Sequence, residues 1–307
     1  MALPQILDDM KKFKKEILSI LMTIGILTFS ACSSSDDVDY TPPIITPSDH
    51  PNDVYIRENM LDKYGAAIRW RWDDRFLQKG QLASAIDEDL VIPVTQLIED
   101  LWIQPFIVLS DDSEAFIKRL IPKEIIYIGS YIYNDDGARL AGFADGGTRV
   151  SLLNLNALDM SDRMWIEEQL ITMHHEFNHI VHQNHGIPSG FNTVSSNGYL
   201  GQGWNNGVSL SDAIIRGMVS AYGTSNEYED FSELVSRFLV QDEETFNSLY
   251  LIDSDCSIFA DEVFCTDLNY GRELIRQKLQ MVKDFYLENF NINLNDLRDT
   301  IQSRMPI

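Results

Sequence analysis

The sequence predicts an α+β fold with strands in the first half of the domain and a helical C-terminal half. Strand periodicity occurs within residues 66–153, whereas helical periodicity dominates from residue 161 onward. Turn residues such as Asp145-Gly146-Gly147 bound the strands, and no internal repeat follows residue 50. This segregation of strands and helices along the chain is typical of α+β folds.

Two helices and three strands are predicted in the first half of the domain. The first helix, 51–64, has apolar residues at helical spacing, and Gly65 ends it. A second helix is predicted over 90–101, where Pro93 lies near its start. The predicted strands are 66–72, 124–131 and 148–153.

The second half is predicted to contain four principal helices and one long loop. The longest helix, 161–184, has Asp162 near its start and Gly186 after its end. Residues 186–212 are rich in Gly, Ser and Asn, so they are predicted to form a loop, with a short helix after Ser211. The remaining predicted helices are 229–250, 270–289 and 293–304.

Length and charge limit the classes of function. The chain has 307 residues, with 24 Lys and Arg against 47 Asp and Glu, so its net charge is −23. Such acidity argues against a nucleic-acid partner, because phosphate binding needs clustered basic side chains. Three cysteines are too few for a disulfide-stabilised scaffold. The sequence does not predict an oligomeric state.

The N-terminal segment has the pattern of a secretory signal. Four lysines precede an apolar run over 17–29, and Ala31-Cys32 follows it. This resembles a bacterial lipoprotein signal, which implies cleavage after residue 31, acylation of Cys32 and anchoring in the outer membrane at the cell surface. Residues 32–50 are then a flexible tether and 51–307 one domain. A plain cleaved signal or an N-terminal membrane anchor are the alternatives.

The long predicted helix contains the segment His175-Glu176-Phe177-Asn178-His179. Histidines four residues apart lie about 40° apart around a helix, so both imidazoles can bind one zinc ion. The glutamate between the ligands can accept a proton from water at the open side of the metal. The alternative is a helix with two ordinary surface histidines.

Two candidates compete as the third zinc ligand. His185 lies ten residues after His175, the spacing of metzincins, but His182 occupies the position where those enzymes have a turn glycine. His182 and His174 are therefore predicted to be ordinary polar residues on the helix surface.

The second candidate is acidic. Glu229 and Glu233 are four residues apart at the start of a predicted helix, so one can bind zinc while the other orients a ligand histidine. Glu227 is the fallback ligand, and a solvated acidic helix start is the alternative. Tyr222, seven residues before Glu229, could donate to an oxyanion.

HEFNH followed by Tyr222 and EDFSE resembles the gluzincin pattern of the anthrax lethal factor peptidase domain. It also resembles a family of bacterial lipoproteins described as putative zinc-binding metallopeptidases, over nearly all of residues 50–307. The resemblance implies a zincin-like fold, in which a small mixed sheet packs on the helix that contains HEFNH, and a zinc metallopeptidase. It implies His175, His179 and Glu229 as zinc ligands. Glu176 matches the general base, Glu233 the glutamate that supports a ligand, and Tyr222 the transition-state tyrosine.

Two further expectations concern substrate and stability. Residues 149–153 are expected to form the edge strand that pairs with an extended peptide, by analogy with zincins generally. Cys256 and Cys265 could close a small loop with a disulfide outside the cytoplasm; the alternative is two free thiols.

A non-catalytic alternative belongs to a different class of function. It is a surface lipoprotein that binds peptide or glycan on a relic zincin fold and assists nutrient uptake. A tethered protease with one dedicated target is a third hypothesis, and the pattern of cleaved substrates separates the three.

Overall fold

The computed structural model describes residues 47–134, 139–140, 143–145 and 149–306, the two short ranges by backbone alone. The compact unit within it is Ser48–Ile307. The predicted signal segment 1–31, the predicted lipid attachment site Cys32 and most of the predicted tether lie outside the described residues.

Two small sheets occupy the first half of the unit. The larger has the order β1, β3, β7, β6, formed by Ala67–Arg69, Glu124–Tyr127, Arg149–Leu152 and Phe143–Asp145. β1 and β7 both pair with β3 in parallel, and β6 pairs with β7 antiparallel, so the sheet is mixed. The smaller antiparallel sheet joins β2, β4 and β5, which are Gln81–Leu82, Ile132–Asn134 and Arg139–Leu140.

The prediction that 149–153 is the edge strand is wrong. β7 lies between β3 and β6, and the antiparallel β6 is the outermost of the described strands on that side of the sheet. β6 has three residues, too few for a periodic pattern, and it lies just before the glycine turn that the sequence indicated. An extended substrate that adds a strand at this side would therefore meet β6.

Ten helical elements α1–α10 accompany the sheets in the described part of the chain. The first, α1, comprises Pro51–Ile56, a π-helical turn Arg57–Leu61 and Asp62–Tyr64, and α2 is the continuous segment Glu88–Leu109. The others are α3 Asp111–Leu120, α4 Arg163–His185, α5 Phe191–Val194, α6 Leu210–Ile215, α7 Glu227–Val240, α8 Glu243–Tyr250, α9 Glu262–Phe290 and α10 Leu294–Gln302. Short 3₁₀ turns are Asp74–Phe76, Leu155–Ala157, Ser196–Gly198, Gly201–Asn205, Tyr222–Thr224 and Cys256–Ile258.

The predicted α+β class is confirmed, but several helix boundaries differ. The predicted helix 229–250 is two helices, because Asp242 accepts a hydrogen bond from the Thr245 amide and caps a new start. α9 begins earlier than predicted, at the cap Asp261. Helix α3, which the pattern did not indicate, begins where Ser110 accepts from the Ser113 amide. The capping side chains therefore mark where these helices begin more precisely than apolar periodicity does.

Helix α4 lies at the centre of the core. Its first turn is capped by Asp162, which accepts from two backbone amides, and Gly186 ends it with a φ of 77°. Phe177 packs edge-on against Trp102 of α2 and Phe116 of α3, and strand β7 also contacts the helix. By length and composition α2 is apolar enough to cross a membrane, but Val91, Val94 and most other apolar side chains of α2 are buried in this core.

His174 does not lie on the polar surface of the helix, as the sequence predicted, but is fully buried. Its position follows Leu170 by four residues and precedes Phe177 by three, so it belongs to the apolar face of α4. The ring packs near Phe106, and neither ring nitrogen has a hydrogen-bond partner among the described residues. Burial lowers the pKa of His174 to about 3, so the imidazole is neutral.

Cys256 and Cys265 form a disulfide with a Cα–Cα distance of 5.4 Å. It joins the 3₁₀ turn after α8 to the first turns of α9. Arg276 and Asn269 of α9 also hold this connection, through the Leu251 carbonyl oxygen and the Ser254 amide. The segment between the two helices is therefore attached to α9 at several points.

A buried ion pair connects helix α9 to helix α7 and also binds the loop after α4. Lys278 Nζ of α9 lies 2.6 Å from Asp230 Oδ2 of α7, and both side chains are almost completely buried. Tyr199 donates its hydroxyl to the same carboxylate at 2.9 Å. Three segments of the chain therefore meet at Asp230, one residue after Glu229.

Replacing Lys278 with methionine is expected to destabilise the protein by about 3–5 kcal/mol, because it leaves the Asp230 carboxylate buried without its counter-ion. Urea unfolding measures this loss. The matched control is Lys118→Met, which breaks an exposed pair with Glu114 one turn away and should cost less than about 0.5 kcal/mol. Equal stability losses in the two variants would contradict a structural role for the buried pair.

Candidate metal centre

Helices α4 and α7 pack along each other and bring the histidine motif to the acidic segment. Asn226 caps α7 by accepting from the amides of Tyr228 and Glu229. This cap places Glu229 in the first turn of α7 and Glu233 one turn further along the same face. Both carboxylates thereby meet His175 on the neighbouring helix.

Three donor atoms converge between the helices. The Nε2 atoms of His175 and His179 are 3.0 Å apart, and Glu229 Oε2 lies 3.1 Å from the first and 3.2 Å from the second. Within the described ranges this is the group of His, Cys, Asp or Glu side chains that could hold a metal ion. Donors at 2.0–2.1 Å from a tetrahedral zinc ion are about 3.3 Å apart, so the triangle has nearly the size of one face of that tetrahedron.

The charge of the site also suits a cation. Glu229 Oε2 is buried without a well-aligned hydrogen bond, although two imidazole nitrogens lie beside it. Burial raises the pKa of Glu229, but the two histidines outweigh it and lower this pKa to about 2. Burial likewise opposes charging of His175, yet Glu229 and Glu233 raise its pKa to about 10. The site therefore stabilises positive charge where the three donors meet, and its residues fit a zinc ion.

Glu233 holds the first histidine in place. Its Oε1 lies 2.9 Å from Nδ1 of His175, while its Oε2 accepts from Arg237 Nε at 3.0 Å. Burial opposes ionisation of Glu233, but Arg237 and His175 bring the pKa of this carboxyl well below its usual range. An ionised carboxylate at Nδ1 keeps the proton on that nitrogen and leaves Nε2 free as a ligand.

His179 is supported by a residue that sequence reasoning classed as an ordinary surface histidine. Nδ1 of His179 lies 2.9 Å from Nε2 of His182 and 3.3 Å from the Ser232 hydroxyl. The His182 ring stacks on Tyr228, with centroids 4.7 Å apart. If Nε2 of His179 binds metal, its Nδ1–H donates to His182. The three-residue spacing on one helix face was the signal in the sequence that could have revealed this contact.

Glu176 lies beside the three donors, in the wall of a cavity of about 390 Å³. Burial raises its pKa, and the neighbouring histidines act in the opposite direction. A carboxylate with a raised pKa is a better proton acceptor at neutral pH than a fully solvated one. The structure thus places Glu176 where it can act on a water molecule next to the metal position.

Tyr222 faces the same cavity from a 3₁₀ turn before α7. Its ring stacks on His175 with centroids 5.8 Å apart, and the Trp204 ring meets it edge-on at 4.8 Å. Burial and the carboxylate of Glu229 raise the pKa of Tyr222, so its hydroxyl keeps a proton to donate. The cavity is lined by Tyr131, Leu153, Met164, Glu167, Glu168, Gln169, Ile171, Thr172, His175, Glu176, Tyr222, Glu233 and Arg237.

The two other candidate ligands are not brought to this site. Helix α4 continues to His185, which lies ten residues and about 15 Å beyond His175 along the helix axis. His185 instead contacts Phe290 and lines a separate cavity with Arg119 and Lys123. Without a turn glycine at position 182, the helix carries this histidine away from the metal position. Glu227, the fallback, is the first residue of α7 and is not part of the donor group.

Comparison with known proteins gives two findings. Residues 46–295 match the model of a family described as "Putative zinc-binding metallo-peptidase". The crystal structure of a putative zinc-binding metallo-peptidase from Bacteroides caccae is similar to this chain, with a TM-score of 0.66 and 24% sequence identity. The similarity covers 83% of this chain and 91% of that chain, and at such identity it shows a common fold. No curated protein matches the chain.

Proposed function

The chain belongs to the family of putative zinc-binding metallo-peptidases, and from that premise we propose that it is a zinc-dependent peptidase that hydrolyses peptide bonds of proteins or peptides. One observation carries the proposal. The donor triangle of His175, His179 and Glu229 adjoins, through His175, the cavity that Glu176 and Tyr222 also line. A proton acceptor and a proton donor thus flank a site suited to zinc.

The proposed roles follow from these positions. Zinc held by His175, His179 and Glu229 would polarise the scissile carbonyl and lower the pKa of water. Glu176 accepts a proton from the attacking water and delivers it to the departing amine. The Tyr222 hydroxyl donates to the oxyanion that develops on the carbonyl oxygen. Glu233 and His182 hold the two imidazoles in the orientation that directs Nε2 at the metal.

We also propose that the enzyme is an outer-membrane lipoprotein exposed at the cell surface and attached through the lipid on Cys32. The support is the order of lysines, apolar run and Ala31-Cys32 in the sequence. A solvated position outside the membrane agrees with the net charge of −23. The partners in this proposal are the membrane, through the lipid, and a peptide or protein substrate.

The test is metal content together with hydrolysis by the purified protein. We expect one zinc ion per chain and cleavage of an unfolded protein substrate that a chelator abolishes and added zinc restores. Cleavage that persists after complete zinc removal would contradict the proposal. Bound zinc without cleavage of any substrate in a broad peptide library would favour the non-catalytic peptide- or glycan-binding alternative.

A further inference from the structure

Arg237 is a charged side chain in the catalytic cavity that the proposed mechanism does not use. It lies on α7, one turn after Glu233 and two turns after Glu229, on the same helix face. It lines the cavity together with His175 and Glu176. The residue therefore has access to whatever group of the substrate enters beside the metal position.

The described contacts of Arg237 use only one edge of its guanidinium. Nε donates to Glu233 at 3.0 Å, and the two terminal nitrogens make no hydrogen bond with the part of the chain that the structure describes. Neither terminal nitrogen is among the buried polar atoms without a partner, and a quarter of the side chain, 25%, is exposed. The Nη1–Nη2 edge is therefore free of partners in the described chain, on a side chain that lines the cavity.

In the described chain, this edge is where the cavity can bind an anion, because the other ionisable side chains of the lining are Glu, His and Tyr. Arg237 is the single Lys or Arg among the described residues that line the cavity. The Glu167 and Glu168 carboxylates lie two turns away along α4 from His175 and Glu176, and they have partners of their own in Arg163 and Tyr131. One oxygen of Glu233 binds His175 and the other binds Nε of Arg237. The Nη1–Nη2 fork, which is the pair of terminal guanidinium nitrogens, therefore stays available. That fork matches a carboxylate, which it can bind through two parallel hydrogen bonds.

We propose that Arg237 binds a carboxylate group of the substrate within about two residues of the scissile bond. The position follows from the chain of contacts, because Glu233 and His175 alone separate Arg237 from the donor triangle. The carboxylate is either the α-carboxylate of a chain end or the side chain of Asp or Glu. The inference rests on the proposed peptidase function and assigns its substrate class.

Matched peptides test this assignment. One peptide has a free C-terminal carboxylate, the second is its C-terminal amide, and a series of amidated peptides exchanges Glu for Gln at each position near the cleaved bond. We expect kcat/KM to be about 10- to 100-fold higher for the preferred carboxylate peptide, the value of a charge-assisted hydrogen bond. A preference for the free terminus indicates an α-carboxylate ligand, and a preference for Glu over Gln indicates a side-chain ligand.

Variants of Arg237 show whether this residue recognises a substrate carboxylate or only supports Glu233. Arg237→Gln should remove the carboxylate preference, whereas loss of a purely structural role would slow both members of a peptide pair equally. Arg237→Lys retains the charge without the fork and should keep part of the preference, and it serves if the glutamine variant does not fold. Calorimetry with the zinc-loaded Glu176→Gln protein gives a second measurement, and the carboxylate peptide should bind about 10-fold or more tightly than its amide.

The outcomes distinguish the two proposals. Equal kcat/KM within every pair, both the free-terminus and amide pair and each Glu and Gln pair, with equal binding to the Glu176→Gln protein, would overturn the assignment of Arg237 and leave the peptidase function standing. Tighter binding of the carboxylate peptide without any cleavage by the wild-type protein would support Arg237 as the carboxylate ligand and contradict the peptidase function.

Discussion

Glu176→Gln is expected to reduce kcat for peptide hydrolysis by about 10²- to 10⁴-fold while zinc remains bound, because an amide cannot accept a proton from water. The side chain lies in the cavity wall beside the donor triangle but contributes no atom to it. Glutamine has the same shape, so the packing of α4 should not change. Steady-state hydrolysis and metal content, measured on the same preparation, check the two halves of this expectation.

The control for this variant is Glu244→Gln on α8, an exposed glutamate outside the cavity. It makes the same chemical change and should leave both kcat and zinc content at the wild-type value. A Glu176→Gln protein that retained wild-type hydrolysis would exclude Glu176 as the general base. Loss of zinc from that protein would show instead that the carboxylate supports the metal site.

Glu229→Ala is expected to abolish stable zinc binding, because only His175 and His179 would remain of the donor triangle. The loss of zinc affinity should exceed the roughly 10- to 100-fold decrease that follows removal of a group that only orients a ligand. His182→Phe should show that smaller weakening, since it removes the acceptor at His179 Nδ1. Competition with a chelator of known affinity measures all variants on one scale.

His185→Ala is the matched control for the variants that affect zinc binding. It removes a histidine of the same helix, α4, but this histidine contacts Phe290 and not the metal site. Its zinc affinity should equal that of the wild-type protein. Zinc binding that survived Glu229→Ala but disappeared in His185→Ala would reverse the choice of third ligand and favour the metzincin spacing. Equal affinity in His182→Phe and the wild type would show that Ser232 alone suffices to orient His179.

Within a single helix, the sequence predicted the arrangement of functional side chains directly. Residues four apart lie on one face, so HEFNH implied that His175 and His179 point the same way, and the same rule paired Glu229 with Glu233. Arg237 lies four residues after Glu233, so it continues the face of Glu229 and Glu233 by another turn. The same spacing rule could have indicated this residue from the sequence.

Between helices, the sequence left choices that only packing decided. Spacing alone kept His185 available as a ligand, but the uninterrupted course of α4 takes it to Phe290. The sequence interpretation also grouped His174 with His182, yet the packing of α4 against the core buries His174 near Phe106, whereas His182 contacts His179 within the same helix. Around a helix these residues are separated by eight positions, so their surroundings depend on what packs against each face.

By itself, then, the sequence determined the α+β class, the histidine motif with the glutamate inside it, and the acidic pair downstream, because each depends on local periodicity that a few neighbouring residues specify. The tertiary structure decided which carboxylate meets the histidines, that β6 is the outer strand, and that Arg237 opens onto the cavity. These features join segments that are far apart in the sequence or depend on the register of two packed elements. Such contacts follow from side-chain packing across the whole core, which no local pattern encodes.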